Sequence, residues 1–164
     1  MLGRAAQPSL KPFKPISKPK NLLFVAPAGG NVSIEKYFGP ERLIVTIDEN
    51  ATIGDAVERM HENGIGALLV VRKTEEGTKA SGLLTERDVI AAIALGADPN
   101  RAKVKYYMTP WDEVITVTPD TPIEDALKIM LENGIRHLVV VDGDRVVGIL
   151  SMRDLCAALL TPSS

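Results

Sequence analysis

Cysteine is almost missing from this chain. Cys156 is the single one in 164 residues, so an internal disulfide is excluded. It lies in the apolar run Leu155 to Leu160, where a buried, inert thiol is expected. The chain holds only His61 and His137 as histidines, and no Cys/His cluster forms in the sequence. A metal centre is therefore not expected. Aromatic residues make up only 4%. Tyr106, Tyr107 and Trp111 gather in "KVKYYMTPW", without the broad basic patch that a nucleic-acid stacking surface needs. Packing between structural units is the expected use. Surplus charge is absent as well: 19 Lys and Arg against 21 Asp and Glu leave −2. That balance gives no whole-protein pull toward nucleic acid or a membrane surface. No apolar stretch approaches the roughly 20 residues of a membrane span. Nothing pairs a nucleophile with a base, so no catalytic residues are assigned.

Acids are missing from one region altogether. No Asp or Glu precedes Glu35, while Arg4, Lys11, Lys14, Lys18 and Lys20 do. Pro8, Pro12, Pro15, Pro19 and Pro27 punctuate the same stretch. A continuous helix cannot survive that spacing, and the segment is too polar to build a core. Residues 1–34 are expected to form an irregular arm. An organelle transit segment, a docking strap that orders on a partner, and a solvated tail all fit it.

What the chain does have is a repeat. "IVTIDENATIGDAVERMHENGIGALLVV" (44–71) returns 70 positions later as "VITVTPDTPIEDALKIMLENGIRHLVVV" (114–141), without a gap. Thr46/Thr116, Asp55/Asp125, Met60/Met130, Asn63/Asn133, Gly64/Gly134 and Leu68/Leu138 are among the identical pairs. "GLLTERD" (82–88) then returns as "GILSMRD" (148–154), 66 positions on. The shortfall falls between "RKTEEGTKAS" and "DGDRVV", where a turn absorbs it. Two units are expected, 35–99 and 100–164.

Each unit has the same local code. A short strand ("LIVT", "VITV") leads. Ile53, Ala56, Val57 and Met60 then fall on one helical face, as do Ile123, Ala126, Leu127 and Met130. Asn63-Gly64 and Asn133-Gly134 stop the helices. "IGALLVV" and "IRHLVVV" are continuous apolar strands, as buried strands are. A hairpin leads to "SGLLT" and "VGILS". A last helix carries Val89, Ile90 and Ile93, or Leu155, Ala158 and Leu159. The fold class is α+β: β-α-β-β-α twice, with the two sheets packed under a pseudo-twofold axis. Apolar helix faces left over would suit a homodimer.

Two uses compete for the repeated phrase. Thr85 with Asp88, and Ser151 with Asp154, have capping-box spacing, as do Thr52–Asp55 and Thr121–Glu124 with Pro122 at the first helical position. The same geometry makes a ligand clamp. A helix that starts straight off a strand aims N–H groups and its positive end into a crevice, where phosphate fits. A carboxylate accepts both hydroxyls of a ribose, and a base slides between apolar strands.

Two β-α-β-β-α repeats, each ending G-h-h-[ST]-x-x-[DN], resemble a CBS domain pair, or Bateman module, over about 44–160. The resemblance implies binding of adenosine derivatives (AMP, ADP, ATP or S-adenosylmethionine) in clefts between the repeats. It carries the family's motif residues onto Thr85, Asp88, Ser151 and Asp154. "GIRHLVVVD" (134–142) is similar to a segment of the regulatory gamma subunit of AMP-activated protein kinase. That similarity makes Arg136 and His137 phosphate candidates, although a structural histidine at a strand start also accounts for His137. The first repeat has Gly66-Ala67 in their place, so two unequal clefts are expected. Arg87 and Arg153 precede the motif aspartates; phosphates or a dimer partner are within their reach, and exposed helix arginines are their default reading.

The resemblance implies a non-enzymatic regulatory module that reports energy state to a partner on another chain. The phrasing is similar to stand-alone plant organellar CBS-pair proteins, which are proposed regulators of thioredoxin-type redox systems. With the basic arm, it points to a mitochondrion. The competing reading is an accessory subunit of a larger complex with vestigial sites. Neither nucleic-acid binding nor membrane insertion is expected.

Overall fold

The computed structural model describes residues 14–15, 32–38 and 44–160. The expectations for the arm therefore fall almost wholly outside the described residues. Lys14–Pro15 (β1) alone represents its basic part, running parallel to Lys79–Ala80.

The first repeat runs β2 (Thr46–Asp48), α2 (Ile53–Asn63), β3 (Ala67–Thr74), β4 (Gly77–Thr85) and α3 (Glu86–Ala94). A connector with 3-10 turns at Val104–Tyr106 and Trp111–Glu113 holds β5 (Thr109–Pro110). The second repeat follows with β6 (Thr116–Val117), α4 (Ile123–Asn133), β7 (His137–Asp142), β8 (Arg145–Ser151) and α5 (Met152–Leu160). A short helix, α1 (Ile34–Phe38), precedes both. In each repeat the first strand pairs parallel with the second, and the second antiparallel with the third. Each hairpin carries an irregularity at the same point, between Val70 and Val71 and between Val140 and Val141.

Local signals set most boundaries. Gly64 and Gly134 end α2 and α4 at φ 62°, a left-handed conformation that a β-carbon strains. Asn63 and Asn133 are the last helical residues, and their side-chain amides each donate to the carbonyl four residues back at 2.8 Å. At α2 the capping box is complete: the Thr52 N–H donates to Asp55 Oδ2, and the Asp55 N–H donates to Thr52 Oγ1. The expected cap at Thr121–Glu124 does not form. Pro122, the counterpart of Thr52, is the N-cap and makes no side-chain bond. Proline has no N–H to give, and Asp125 Oδ2, counterpart of the capping oxygen of Asp55, is buried without a partner. Thr121 instead accepts from the Thr118 N–H.

Successive strand side chains take opposite faces of each sheet, both of them covered, which builds four layers, helices–sheet–sheet–helices. Leu68, Val70 and Leu84 face α2 and α3 with Ile53, Ala56 and Met60. Leu138, Val140 and Leu150 meet Ile123, Ile129 and Met130 likewise. Between the sheets, Leu69 and Val71 pack with Val139, Val141, Val114 and Trp111. Trp111 thus serves packing between the repeats. Tyr106 does not, being 73% exposed. Val57, Ile90 and Ile93, taken from sequence as apolar helix positions, are exposed rather than buried in the core. Cys156 is exposed rather than buried. Leu155 and Ala158 take the inner face of α5, and the next position turns about 100° away from it.

The leading segments are exchanged between repeats. Residues 32–34, ahead of the first repeat, bond to the second: the Ile34 N–H donates to the Thr121 carbonyl, and the Ile123 N–H to the Val32 carbonyl. Residues 102–104, ahead of the second, bond to the first: the Val104 N–H donates to the Ala51 carbonyl, and the Ile53 N–H to the Ala102 carbonyl. The side chains of Ile34 and Val104 enter the cores of those same repeats. Each repeat is completed by chain that precedes the other.

Candidate functional site

Both motif copies form capping boxes. Thr85 closes β4 and caps α3. Its N–H donates to Asp88 Oδ2 at 2.8 Å, its hydroxyl donates to the same oxygen at 3.0 Å, and the Asp88 N–H returns to Thr85 Oγ1. The Ser151 N–H donates to Asp154 Oδ2 at 2.9 Å, and the Asp154 N–H to Ser151 Oγ at 3.0 Å. The boxes are built on one oxygen, Oδ2, of each carboxylate. An aspartate accepts several hydrogen bonds, so capping does not exhaust it.

Two clefts border these helix starts. A large one of about 860 Å³ is lined by Ser151 and Asp154, by Ile44 and Val45, and by Ile65, Gly66 and Ala67. Met60, Val89 and Ile90 add apolar wall, and His61, Glu86, Arg136, His137 and Arg153 add polar and charged side chains. A small one of about 170 Å³ is lined by Thr85 and Asp88, by Val114 and Ile115, and by Ile135, Arg136 and His137. The repeat offsets map one set of residues onto the other, so the clefts are pseudo-twofold partners. Each motif faces the strand start of the opposite repeat, an arrangement that the sheet-to-sheet packing creates. The strand pattern also resolves here: β2 and β6 start at Thr46 and Thr116, three and two residues after the starts of the apolar runs. Ile44–Val45 and Val114–Ile115 lie ahead of the ladders and line the clefts instead.

The six residues singled out from sequence are thus divided. Ser151 and Asp154 lie in the large cleft, Thr85 and Asp88 in the small one. Arg136 and His137 line both, as does Glu86. Gly66 explains that sharing: a β-carbon there would meet Glu86 Oε1 at 2.7 Å and His137 Cε1 at 3.3 Å. The first repeat contributes Gly66 and Ala67 where the second contributes two basic side chains, Arg136 and His137.

Burial tunes two titrating groups. It raises the Asp88 carboxyl above its ordinary 3.8, against the lowering by hydrogen bonds from Thr85 and by the Arg87 charge. It lowers His137 below its ordinary 6.5; Glu86 pulls the value back up, Arg136 pushes it further down, and Asp154 pulls it up.

Sequence reasoning assigned no ligand role to His61 and did not single out Glu86. Both line the large cleft. The signal available was position: His61 lies in the last turn of the helix that precedes β3, and Glu86 is the first residue after the Thr85 cap. Among the described residues, no cluster of three His, Cys, Asp or Glu is placed to hold a metal ion. No helix among them is long and apolar enough to cross a membrane.

A family model described as "CBS domain" matches residues 40–95 and 104–161. This chain belongs to the CBS-domain family. Pairs of CBS domains are regulatory modules. An uncharacterized 17.7 kDa protein of Acidianus ambivalens is 39% identical over 71% of this chain and 68% of its own. A mitochondrial CBS domain-containing protein of Arabidopsis thaliana is 36% identical over 66% of this chain. The chain spans only 53% of that relative's length. The solved structure of a CBS domain protein from Pyrobaculum aerophilum, complexed with AMP, matches with a TM-score of 0.65 at 29% identity. It covers 79% of this chain and 96% of that one. This pair of CBS domains therefore shares its fold with a nucleotide-bound relative.

Proposed function

We propose that this CBS pair is a non-catalytic regulatory module that holds an adenosine derivative in its large cleft and passes the occupancy to a partner protein. The observation that carries the reading is the composition of that cleft. Apolar walls, a helix start with a hydroxyl and an acid, and the basic side chains of Arg136 and His137 converge on about 860 Å³, within the usual range of a small-molecule site. Ser151 and Asp154 hold the ribose, Arg136 and His137 face the phosphate, and the base lies among Ile44, Ile65 and Val89. AMP, ADP, ATP and S-adenosylmethionine are the ligands proposed. The small cleft, at about 170 Å³, is below that range. The AMP-bound relative supports the ligand class, and the mitochondrial relative, together with the basic arm, supports a mitochondrial address.

Transmission needs a surface. Ile93, Leu95, Leu131 and Leu160 stand exposed on the outer helices or just beyond them. Such faces suit a second copy or the regulated partner. Ligand bound between the repeats shifts their packing, and the partner senses that shift.

Calorimetric titration of the four ligands into the full chain tests the reading. Saturable binding that is lost in Asp154→Ala and kept in Asp88→Ala is expected. Absence of heat with every ligand sinks it and leaves the accessory-subunit reading in front.

A further inference from the structure

Two short strands divide the outer edge of β4 between them. β5 pairs with Gly82–Leu83, on the half that leads to Thr85 and the small cleft. β1 pairs with Lys79–Ala80, on the half that leads to the hairpin. Ser81 lies between them and is skipped in the pairing with β3, where Val70 faces Gly82 and Val71 faces Ala80. Such a bulge bends its strand, so the hairpin half turns away from the half that β5 covers. The first hairpin is also the longer one. Lys79 aligns with Arg145, the first residue of β8, whereas β4 starts earlier, at Gly77. Without β1, the hairpin half would present unpaired N–H and C=O groups, as any open sheet edge does.

The segment that fills this edge is suited to an outermost strand. Proline is confined to sheet edges, because it has no N–H with which to extend a ladder. Pro15 ends β1, and the same stretch of sequence holds Pro12 and Pro19. The pairing forms within one chain. Residues 16–31, which join Pro15 to Val32, can span roughly 50 Å when extended, and a domain of this size is about 35 Å across. The tether therefore lets the arm reach its own hairpin. β1 also comes close to β8, in the second sheet. Neither cleft is lined by residues 77–81 or 145–148. β1 thus stands at the end of both sheets away from the clefts.

We infer that the arm around Lys14–Pro15 is an intramolecular strap. It closes the hairpin half of the β4 edge and ties the two hairpins together, at the end of the sheets opposite the clefts. Its occupant is the chain's own basic arm, and the tie limits how far the two repeats can shift against each other.

Hydrogen exchange on the full chain, read by mass spectrometry, compares wild type with Lys14→Ala and Lys14→Pro. Of the two residues in β1, only Lys14 has an N–H. Lys14→Ala keeps that donor and should exchange as wild type does. Lys14→Pro removes it, and exchange should rise about fivefold or more at residues 78–80 and 145–147. A rise at neither hairpin overturns the strap, and a rise at β4 alone overturns the tie to the second sheet. A second measurement reads the pairing itself. Lys14 and Lys79 face each other in register, so Lys14→Cys with Lys79→Cys, in a Cys156→Ser background, should form a disulfide within one chain on oxidation. Disulfide-linked dimers alone would put the arm on a second copy, and no disulfide would leave the edge without it. Either result overturns the inference.

Discussion

Arg87 Nη1 and the Gly134 carbonyl oxygen meet at 2.8 Å across 47 positions of sequence. One end is the first turn of α3, and the other is the left-handed residue that terminates α4. The bond crosses between repeats at the side of the small cleft. Arg87→Ala should cost about 1 kcal/mol of stability, the net worth of one such bond. Hydrogen exchange should rise at residues 134–137 and along the first turn of α3. Denaturant unfolding with exchange mass spectrometry checks both.

Asp55 and Asp125 occupy equivalent positions, but only Asp55 receives the cap N–H. Asp55→Ala should lower stability by about 0.5–2 kcal/mol through loss of the capping box. Asp125→Ala should cost distinctly less, because a buried oxygen without a partner is removed along with the charge. Equal losses in the two variants would mean that Asp125 does bond in solution.

Thr116 is fully buried, and its hydroxyl takes no partner among the described residues. Valine has nearly the same shape without the oxygen. Thr116→Val should therefore be neutral or stabilising by about 1 kcal/mol. A loss of more than that in thermal unfolding would show that the hydroxyl is hydrogen-bonded after all.

His137 and Asp88 impose opposite pH dependences. Burial depresses His137, so the unfolded chain binds its proton first. The share of stability that it carries is present above 6.5 and drains away as pH falls through that value toward the depressed one. His137→Gln should flatten the stability profile in that window. Burial raises Asp88, so its share is full below 3.8 and is lost as pH climbs through the raised value. Asp88→Asn should remove that acid-side component. Denaturation midpoints across the pH range, wild type against each variant, decide the signs.

A phosphate held near His137 favours the imidazolium form. AMP binding at pH near 6.5 should therefore take up protons, and His137→Gln should abolish the uptake. Calorimetry in buffers of differing ionisation enthalpy measures it. Uptake that persists in His137→Gln would assign the proton to another group, such as His61.

Much of the fold was legible because it is written locally. The helical period around Ile53 and Ile123, the Asn-Gly stops and the Thr85–Asp88 spacing each depend on residues within a turn or two of one another. The failures have local causes too. Thr121–Glu124 had the spacing of a cap, but the Thr121 N–H and hydroxyl are both engaged by Thr118 in the turn before the helix. Cys156 sat in an apolar run, but the run is longer than the inner face of its helix, and the helix turns the thiol outward. Val57, Ile90 and Ile93 show the same excess of apolar residues over buried positions.

By itself, then, the sequence determined two β-α-β-β-α units and the place of each motif at a strand-to-helix junction, because hydrogen bonds and side-chain periodicity over a few residues decide those features. Tertiary structure alone decided which motif confronts which strand start, that residues 32–34 and 102–104 complete the opposite repeats, and that Arg136 and His137 border both clefts. It also decided that one arginine of a matched pair is tied down while the other lines the larger cleft. Those outcomes follow from packing two nearly identical sheets face to face, where a few unlike residues at the interface break the symmetry that the repeat would otherwise impose.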